Sequence, residues 1–99
     1  MSISFSDQCV DIRLETRGDG GEISWTFGPC SSDQVYASNK PYIQQCCLAT
    51  GEYHLTCKDS YGDGWKGAFI EIQGKKYCDD FRTGSVAIQK VTIEGIYSL

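Results

Sequence analysis

Apolar and polar residues alternate along most of this chain, which is the pattern of β-strands with one buried face. The alternation is clearest in residues 10–15, 22–27, 52–57 and 68–73 and, with one break, in residues 86–93. No stretch of useful length has the apolar spacing of a helix. With turn signals at close intervals, the pattern predicts seven or eight short strands in an all-β, antiparallel sandwich, jelly-roll-like in type.

The first two predicted strands are joined by residues 17–21, Arg-Gly-Asp-Gly-Gly, which have the composition of a hairpin turn. If Arg17 pairs with Glu22 across that turn, the same register sets Cys9 opposite Cys30. We therefore expect a Cys9–Cys30 disulfide that pins the open end of the hairpin.

Arg17-Gly18-Asp19 is also the integrin-binding tripeptide, set at the tip of the predicted turn. An Arg and an Asp on either side of a bend can offer a cation and a metal-ligating carboxylate together. The tripeptide often arises by chance, however, and its glycine is already explained by the turn. We expect an exposed turn without an integrin role.

Residues 29–45 show no steady period and are rich in Ser, Asp, Asn and Pro, so they are predicted to form a long loop. Cys30 and Cys46 bracket this loop. Tyr36 is a candidate ligand-binding aromatic within it, although packing onto the sandwich is the favoured role. Cys46 and Cys47 begin the next predicted strand, and because neighbouring strand residues face opposite ways, they should bond to different partners.

The last predicted strand changes the face on which its apolar residues lie. Val86 and Ile88 fall on one face, whereas Val91 and Ile93 fall on the other. We expect a bulge or bend near residues 89–90 that brings all four to the same side.

The most distinctive stretch is residues 57–67, Cys-Lys-Asp-Ser-Tyr-Gly-Asp-Gly-Trp-Lys-Gly. Its glycines allow a tight turn, so Asp59, Ser60 and Asp63, with the loop carbonyls, form a group of hard oxygen donors. Such donors favour Ca²⁺ over softer metals. One residue of the acidic pair Asp79-Asp80 could complete the shell, although solvated turn carboxylates are the simpler interpretation of that pair. The simpler alternative is a hairpin loop whose Asp and Gly residues serve only the turn.

Two aromatic residues of the same loop, Tyr61 and Trp65, are further candidate ligand-binding residues. An exposed Trp65 would stack on a sugar or on an apolar patch of a partner, whereas a buried one would cap the core beneath the loop. Because tryptophan is highly buried on average, the core role is favoured.

The motif Cys-x-Asp-Ser-Tyr-Gly-Asp-Gly-Trp-x-Gly over residues 57–67 resembles the signature of small cysteine-rich modules of secreted and cell-surface proteins. In those modules the motif lies between two strands of a β-sandwich, and residues 22–25 and 51–55 are similar to their earlier strands. There is a fainter similarity to CUB domains, which often bind calcium with loop carboxylates, although a clear CUB cysteine pattern is missing here. The resemblance implies an adhesion or recognition module and not a reaction.

The 99 residues are expected to form one domain, residues 1–99, with a core too small to be very stable through burial alone. Six cysteines supply the missing constraint, and their even number predicts a disulfide framework and a secreted, extracellular protein. A zinc site is disfavoured, because there is no Cys-x-x-Cys pair and only one histidine. Residues 1–6 are too short and too polar for a signal peptide. The expected disulfide cysteines are Cys9, Cys30, Cys46, Cys47, Cys57 and Cys78.

These features favour a non-catalytic extracellular module that binds calcium and recognises a glycan or a protein. The alternative is a structural module of a matrix, coat or surface appendage that self-associates through edge strands and has no functional metal. The net charge of −4 disfavours nucleic acid, and no apolar run is long enough for membrane insertion. An enzyme is not expected, since there is no nucleophile elbow, no metalloprotease helix and no second histidine.

Overall fold

The computed structural model describes residues 8–95, so the expectation for residues 1–6 lies outside the described part of the chain. Within residues 8–95 no helix is long and apolar enough to cross a membrane. The elements are β1 (Gln8–Glu15), a 3₁₀ turn (Gly20–Glu22), β2 (Ile23–Phe27), β3 (Cys30–Ser31), β4 (Pro41–Leu48), β5 (Gly51–Asp59), β6 (Phe69–Ile72), β7 (Lys75–Tyr77) and β8 (Val86–Ile93).

The strands form two four-stranded antiparallel sheets, one in the order β4-β1-β6-β7 and the other in the order β3-β2-β5-β8. Each sheet buries alternate side chains, such as Ile12 and Leu14 of β1 and Leu55 and Cys57 of β5, and these side chains form one shared core. The predicted all-β, antiparallel sandwich is confirmed.

The predicted β1–β2 hairpin is wrong. β1 pairs with β4 and β6, and β2 pairs with β3 and β5, so these two strands lie in opposite sheets. Residues 16–22 cross between the sheets instead of turning back. The buried hydroxyl of Thr16 fixes the crossing: it donates to the Ala37 carbonyl (2.7 Å), and its oxygen accepts from the Lys40 N–H (2.9 Å). Gly20 serves close packing, because a Cβ there would lie 2.5 Å from the Ala37 oxygen.

All six cysteines form disulfides, but the predicted Cys9–Cys30 bond is wrong. The bonds are Cys9–Cys47, Cys30–Cys46 and Cys57–Cys78. Since β1 and β2 lie in different sheets, Cys9 faces Cys47 of β4 and not Cys30. The prediction that Cys46 and Cys47 take different partners is confirmed. Two of the three bonds, at Cys46 and at Cys57, tie one sheet to the other and support the small core.

The prediction of a long loop over residues 29–45 is wrong at both ends, because β3 and most of β4 lie within it. Cys46 and Cys47 therefore lie near the end of a strand and do not begin one. The reason is visible in the polarity of β4, where Gln44 takes an inward position and Ile43 is exposed. This exchange removes the alternation on which the prediction depended.

The expected bulge near residues 89–90 is also wrong. β8 pairs with β5 in unbroken register along its whole length. Val86 and Ile88 stay exposed on the outer face, with 53% and 62% of their surface accessible, whereas Val91 and Ile93 are buried. The apolar residues of β8 therefore change face because Val86 and Ile88 are exposed apolar side chains, and the backbone of the strand stays regular.

Candidate metal centre

The acidic loop leaves β5 at Asp59 and turns back at once. The Asp59 carboxylate accepts a hydrogen bond from the backbone N–H of Asp63 (2.7 Å), and the Gly62 N–H donates to the Asp59 carbonyl (3.3 Å). The indole N–H of Trp65 donates to the Lys58 carbonyl (2.9 Å), and the Trp65 side chain is buried. These contacts close the tight turn and anchor it to the core.

A second loop, residues 81–85, holds the acidic loop from the other side. The Gly64 N–H donates to the Gly84 carbonyl (3.1 Å), and the Gly84 N–H donates to the Gly62 carbonyl (3.0 Å). Gly64 has a φ of +77°, and a Cβ there would lie 2.4 Å from the carbonyl carbon of Arg82. Only glycine suits both the conformation and the space, so this position fixes the path of the loop.

Three carboxylates from two distant segments meet beside this loop. One oxygen from each of Asp19, Glu22 and Asp63 lies within 4.8 Å of the other two. Asp19 and Glu22 belong to the crossing between β1 and β2. They reach the acidic loop because Ile23 of β2 pairs with Asp59 of β5, which sets the start of one strand against the end of the other.

The Asp59 carboxylate adjoins this group and is almost wholly buried, with 2% of the residue exposed. Its Oδ2 accepts the Asp63 N–H, but its Oδ1 is buried without a hydrogen-bond partner among the described residues. Glu22 Oε1 and Asp63 Oδ1 are also buried without a hydrogen-bond partner among residues 8–95. Ionised carboxylates only accept hydrogen bonds, so these oxygens can satisfy one another only where one carboxyl keeps its proton. A buried acceptor without a donor is costly.

One ammonium group faces these carboxylates. Lys66 Nζ lies 2.6 Å from Asp63 Oδ2 and 3.5 Å from Asp19 Oδ2. The hydrogen bond to Lys66 lowers the pKa of Asp63, with a smaller contribution from Asp59. The pKa of Glu22 is raised, first by burial and then by a hydrogen bond with Asp59 and by the neighbouring negative charges. A single lysine is therefore too little to neutralise the group.

The structure brings only part of the predicted metal set together. Asp63 is in the carboxylate group, and Asp59 adjoins it. Ser60 is exposed, and its backbone N–H donates to the Glu22 carbonyl (3.0 Å). Asp79 and Asp80 are exposed, and neither belongs to a close carboxylate group within residues 8–95.

Sequence reasoning missed Asp19 and Glu22. It assigned Asp19 to a hairpin turn and Glu22 to the strand that follows. The pairing of β2 with β5 is the signal that joins them to Asp59, and it requires knowledge of the sheet order. Arg17, Gly18 and Asp19 are exposed, as expected for the tripeptide.

The three predicted ligand-binding aromatics differ in exposure. Tyr61 projects from the acidic loop with 77% of its surface accessible. Trp65 and Tyr36 are buried, and the Tyr36 hydroxyl accepts a hydrogen bond from the Trp25 indole (3.0 Å). The favoured core roles of Trp65 and Tyr36 agree with this burial, and Tyr61 is the one of the three that faces solvent.

Comparison with known proteins gives no relative for this fold or site. No family model matches the sequence, and neither a curated protein nor a solved structure matches it.

Proposed function

We propose that the chain is a non-catalytic extracellular recognition module in which Ca²⁺ binds the carboxylate group of the acidic loop. The proposal depends mainly on one observation: Asp19, Glu22 and Asp63 converge beside a buried Asp59 whose Oδ1 has no partner in the described part of the chain. A bound cation would satisfy the unpartnered oxygens and offset the repulsion between the carboxylates.

The donor chemistry favours calcium over other metals. Asp19, Glu22 and Asp63 offer carboxylate oxygens, Asp59 adds another, and the six cysteines are bound in disulfides and cannot ligate a metal. Ca²⁺ accepts six to eight oxygens in irregular arrangements, whereas Mg²⁺ requires a near-ideal octahedron. Calcium would also link the β1–β2 crossing to the acidic loop and so stabilise that end of the sandwich.

The extracellular and recognition parts of the proposal have separate support. Three disulfides in so short a chain are typical of oxidising compartments. The exposed Tyr61 beside the carboxylate group offers a contact residue for a protein or glycan partner. An integrin role for Arg17-Gly18-Asp19 is not proposed, because the Asp19 carboxylate is shared with Lys66 and with the carboxylate group.

A second candidate function is self-association as a structural module. The observation that favours it is the exposure of Val86 and Ile88 on β8, which is an edge strand of its sheet. Edge strands with exposed apolar side chains are prone to pair with another chain. Sedimentation of the wild type and of Ile88→Lys tests this candidate, which predicts an oligomer that the lysine disperses.

Isothermal titration of calcium into the purified protein tests the metal proposal directly. We expect a dissociation constant of ~10⁻⁴–10⁻³ M, as in extracellular calcium modules. Asp63→Asn should weaken binding by about tenfold or more, because it removes a charged ligand. The matched control Asp80→Asn, an exposed aspartate outside the group, should leave it unchanged.

Lys66→Gln distinguishes a calcium site from a structural ion-pair network. If calcium binds the group, removal of the competing ammonium should tighten binding while it lowers the stability of the calcium-free protein. The proposal fails if the wild type shows no saturable calcium binding, or if Asp63→Asn and Asp80→Asn behave alike.

A further inference from the structure

The three disulfides of this chain differ in exposure. Cys9 and Cys47 are both exposed. Each of the other two bonds includes at least one buried cysteine, Cys46 in one and Cys57 in the other. Thiol–disulfide exchange requires that a thiolate reach a sulfur atom. The Cys9–Cys47 bond is therefore the one of the three that a thiol in solution reaches most readily.

The exposure follows from the position of the bond in its sheet. Cys9 of β1 lies directly opposite Cys47 of β4, and their chain neighbours Val10 and Cys46 are buried in the core. Because successive strand residues face opposite sides of a sheet, the Cys9–Cys47 bond lies on the outer face. β4 is also the edge strand of its sheet, so within residues 8–95 no strand pairs with it beyond Cys47.

The Cys9–Cys47 bond joins two strands that other interactions already hold. β1 and β4 pair in continuous register over the eight residues of each strand. The other two disulfides join one sheet to the other and remain when this bond opens. Opening it restores conformational freedom to the unfolded chain, but it leaves the strand pairing and the links between the sheets in place. The folded domain can therefore open and close this bond.

We propose that Cys9–Cys47 is a redox-active disulfide that exchanges with an external dithiol while the other two bonds stay closed. A thiolate of the dithiol attacks Cys47 Sγ, at the open edge of the sheet, and forms a mixed disulfide. The Cys9–Cys47 bond breaks, and its electron pair leaves on Cys9 Sγ, which takes a proton from water.

The second thiolate of the partner completes the exchange. It attacks the partner's own sulfur in the mixed disulfide and releases Cys47 as a thiolate, which is also protonated. The partner is oxidised to a disulfide, and Cys9 and Cys47 are reduced to thiols. A protein or small molecule with a reactive dithiol is therefore the class of partner that this site requires.

The redox site and the carboxylate group lie at opposite ends of β1. Cys9 is near the start of that strand, whereas the crossing with Asp19 and Glu22 follows its end at Glu15. Six residues of extended strand separate Cys9 from Glu15, a distance of about 20 Å. Calcium binding should therefore be the same before and after reduction, and failure of the calcium titration would leave the redox result intact.

Limited reduction of the folded protein tests the proposal. Dithiothreitol is the probe; at each time point iodoacetamide blocks the thiols formed, and N-ethylmaleimide labels the remaining cysteines after full reduction. Mass spectrometry of the peptides then gives the reduction rate of each cysteine. We expect Cys9 and Cys47 to be reduced together, at least about tenfold faster than the other four cysteines. The amide spectrum of this partly reduced protein should stay dispersed.

Reduced glutathione identifies the sulfur that is attacked, because with a single thiol it stops at the mixed disulfide. We expect the adduct on Cys47 and a thiol on Cys9. The double variant Cys9→Ser/Cys47→Ser is the matched control. It should fold, bind calcium as the wild type does and form no adduct under the same conditions.

Several results would overturn the proposal. Equal reduction rates for the three bonds would show that Cys9–Cys47 is not selectively reactive. Loss of amide dispersion when only this bond is open, or an unfolded double variant, would show that the fold requires it. A glutathione adduct on Cys9 would contradict the role assigned to Cys47.

Discussion

The two ends of this sandwich differ in how their charged side chains are arranged. At one end the backbone forces the carboxylates of Asp19, Glu22 and Asp63 together around the buried Asp59, with Lys66 as their cation. At the other end, Lys75 of β7 and Lys90 of β8 form no ion pair within residues 8–95, and the two sheets are joined there by uncharged hydrogen bonds between Gln73 and Glu94.

The comparison shows how a small domain can couple one site to its stability and leave another independent. The carboxylates that strand pairing brings together repel one another until a cation binds. Calcium occupancy should therefore determine the stability of the acidic end. Exposed charges that stand apart from one another cost little free energy, so they can be changed with little effect on the fold.

The largest expected effect comes from glycines at the two ends. Gly64→Ala places a Cβ against the Arg82 backbone at a φ of +77° and should destabilise the protein by at least ~3 kcal/mol. Gly74→Ala, at a φ of +83° but with open space around it, should cost only ~1–2 kcal/mol. Urea unfolding measures both. Equal losses would show that the acidic loop is not held against residues 81–85.

Glu22→Gln should separate stability from calcium binding at the acidic end. Because the pKa of Glu22 is raised by burial and by its neighbours, the neutral side chain should raise the unfolding free energy of the calcium-free protein at pH 7. The same change should weaken calcium binding by about tenfold. Glu52→Gln, exposed on β5, is the control and should do neither. Lower stability of Glu22→Gln in chelator would contradict the account of crowded charge.

The pH dependence of stability follows from the same glutamate. With a raised pKa the folded protein keeps a proton that the unfolded chain has lost, so calcium-free stability should fall as pH rises above ~4.3 through the raised value. Calcium requires the ionised carboxylate, so the stability gained from calcium should grow over the same range. Thermal melting from pH 4 to pH 7, with calcium and with chelator, measures both slopes. Glu22→Gln should flatten the calcium-free slope.

The smallest effect is expected at Lys75 and Lys90, which are both exposed. Lys75→Gln and Lys90→Gln should change the unfolding free energy by less than ~0.5 kcal/mol, since neither lysine has an ion pair within residues 8–95. Urea unfolding of both variants checks this. A loss above ~1 kcal/mol would mean that the two ends do not differ as described.

The sequence predicts the elements of this fold better than their arrangement. Alternation in β1, β2 and β5 identifies those strands because each has one buried face. It cannot say that β1 and β2 lie in different sheets, because a crossing and a hairpin both use glycine-rich turns. The Cys9–Cys30 prediction failed for that reason.

The candidate site shows the same limit. Asp59 and Asp63 are found from the loop composition alone, because they are close in sequence. Asp19 and Glu22 become neighbours of that loop only through the pairing of Ile23 with Asp59, which joins residues far apart in the chain.

The melting temperature of the wild-type protein in calcium and in chelator tests directly whether the carboxylate group binds calcium. Calcium at ~100 Kd should add about 2.7 kcal/mol, which for a domain of this size raises the melting temperature by about 10–20 °C. Asp63→Asn should lose most of that rise, and Asp80→Asn should keep it. If the wild type melts at the same temperature in calcium as in chelator, the carboxylate group of the acidic loop is not a calcium site.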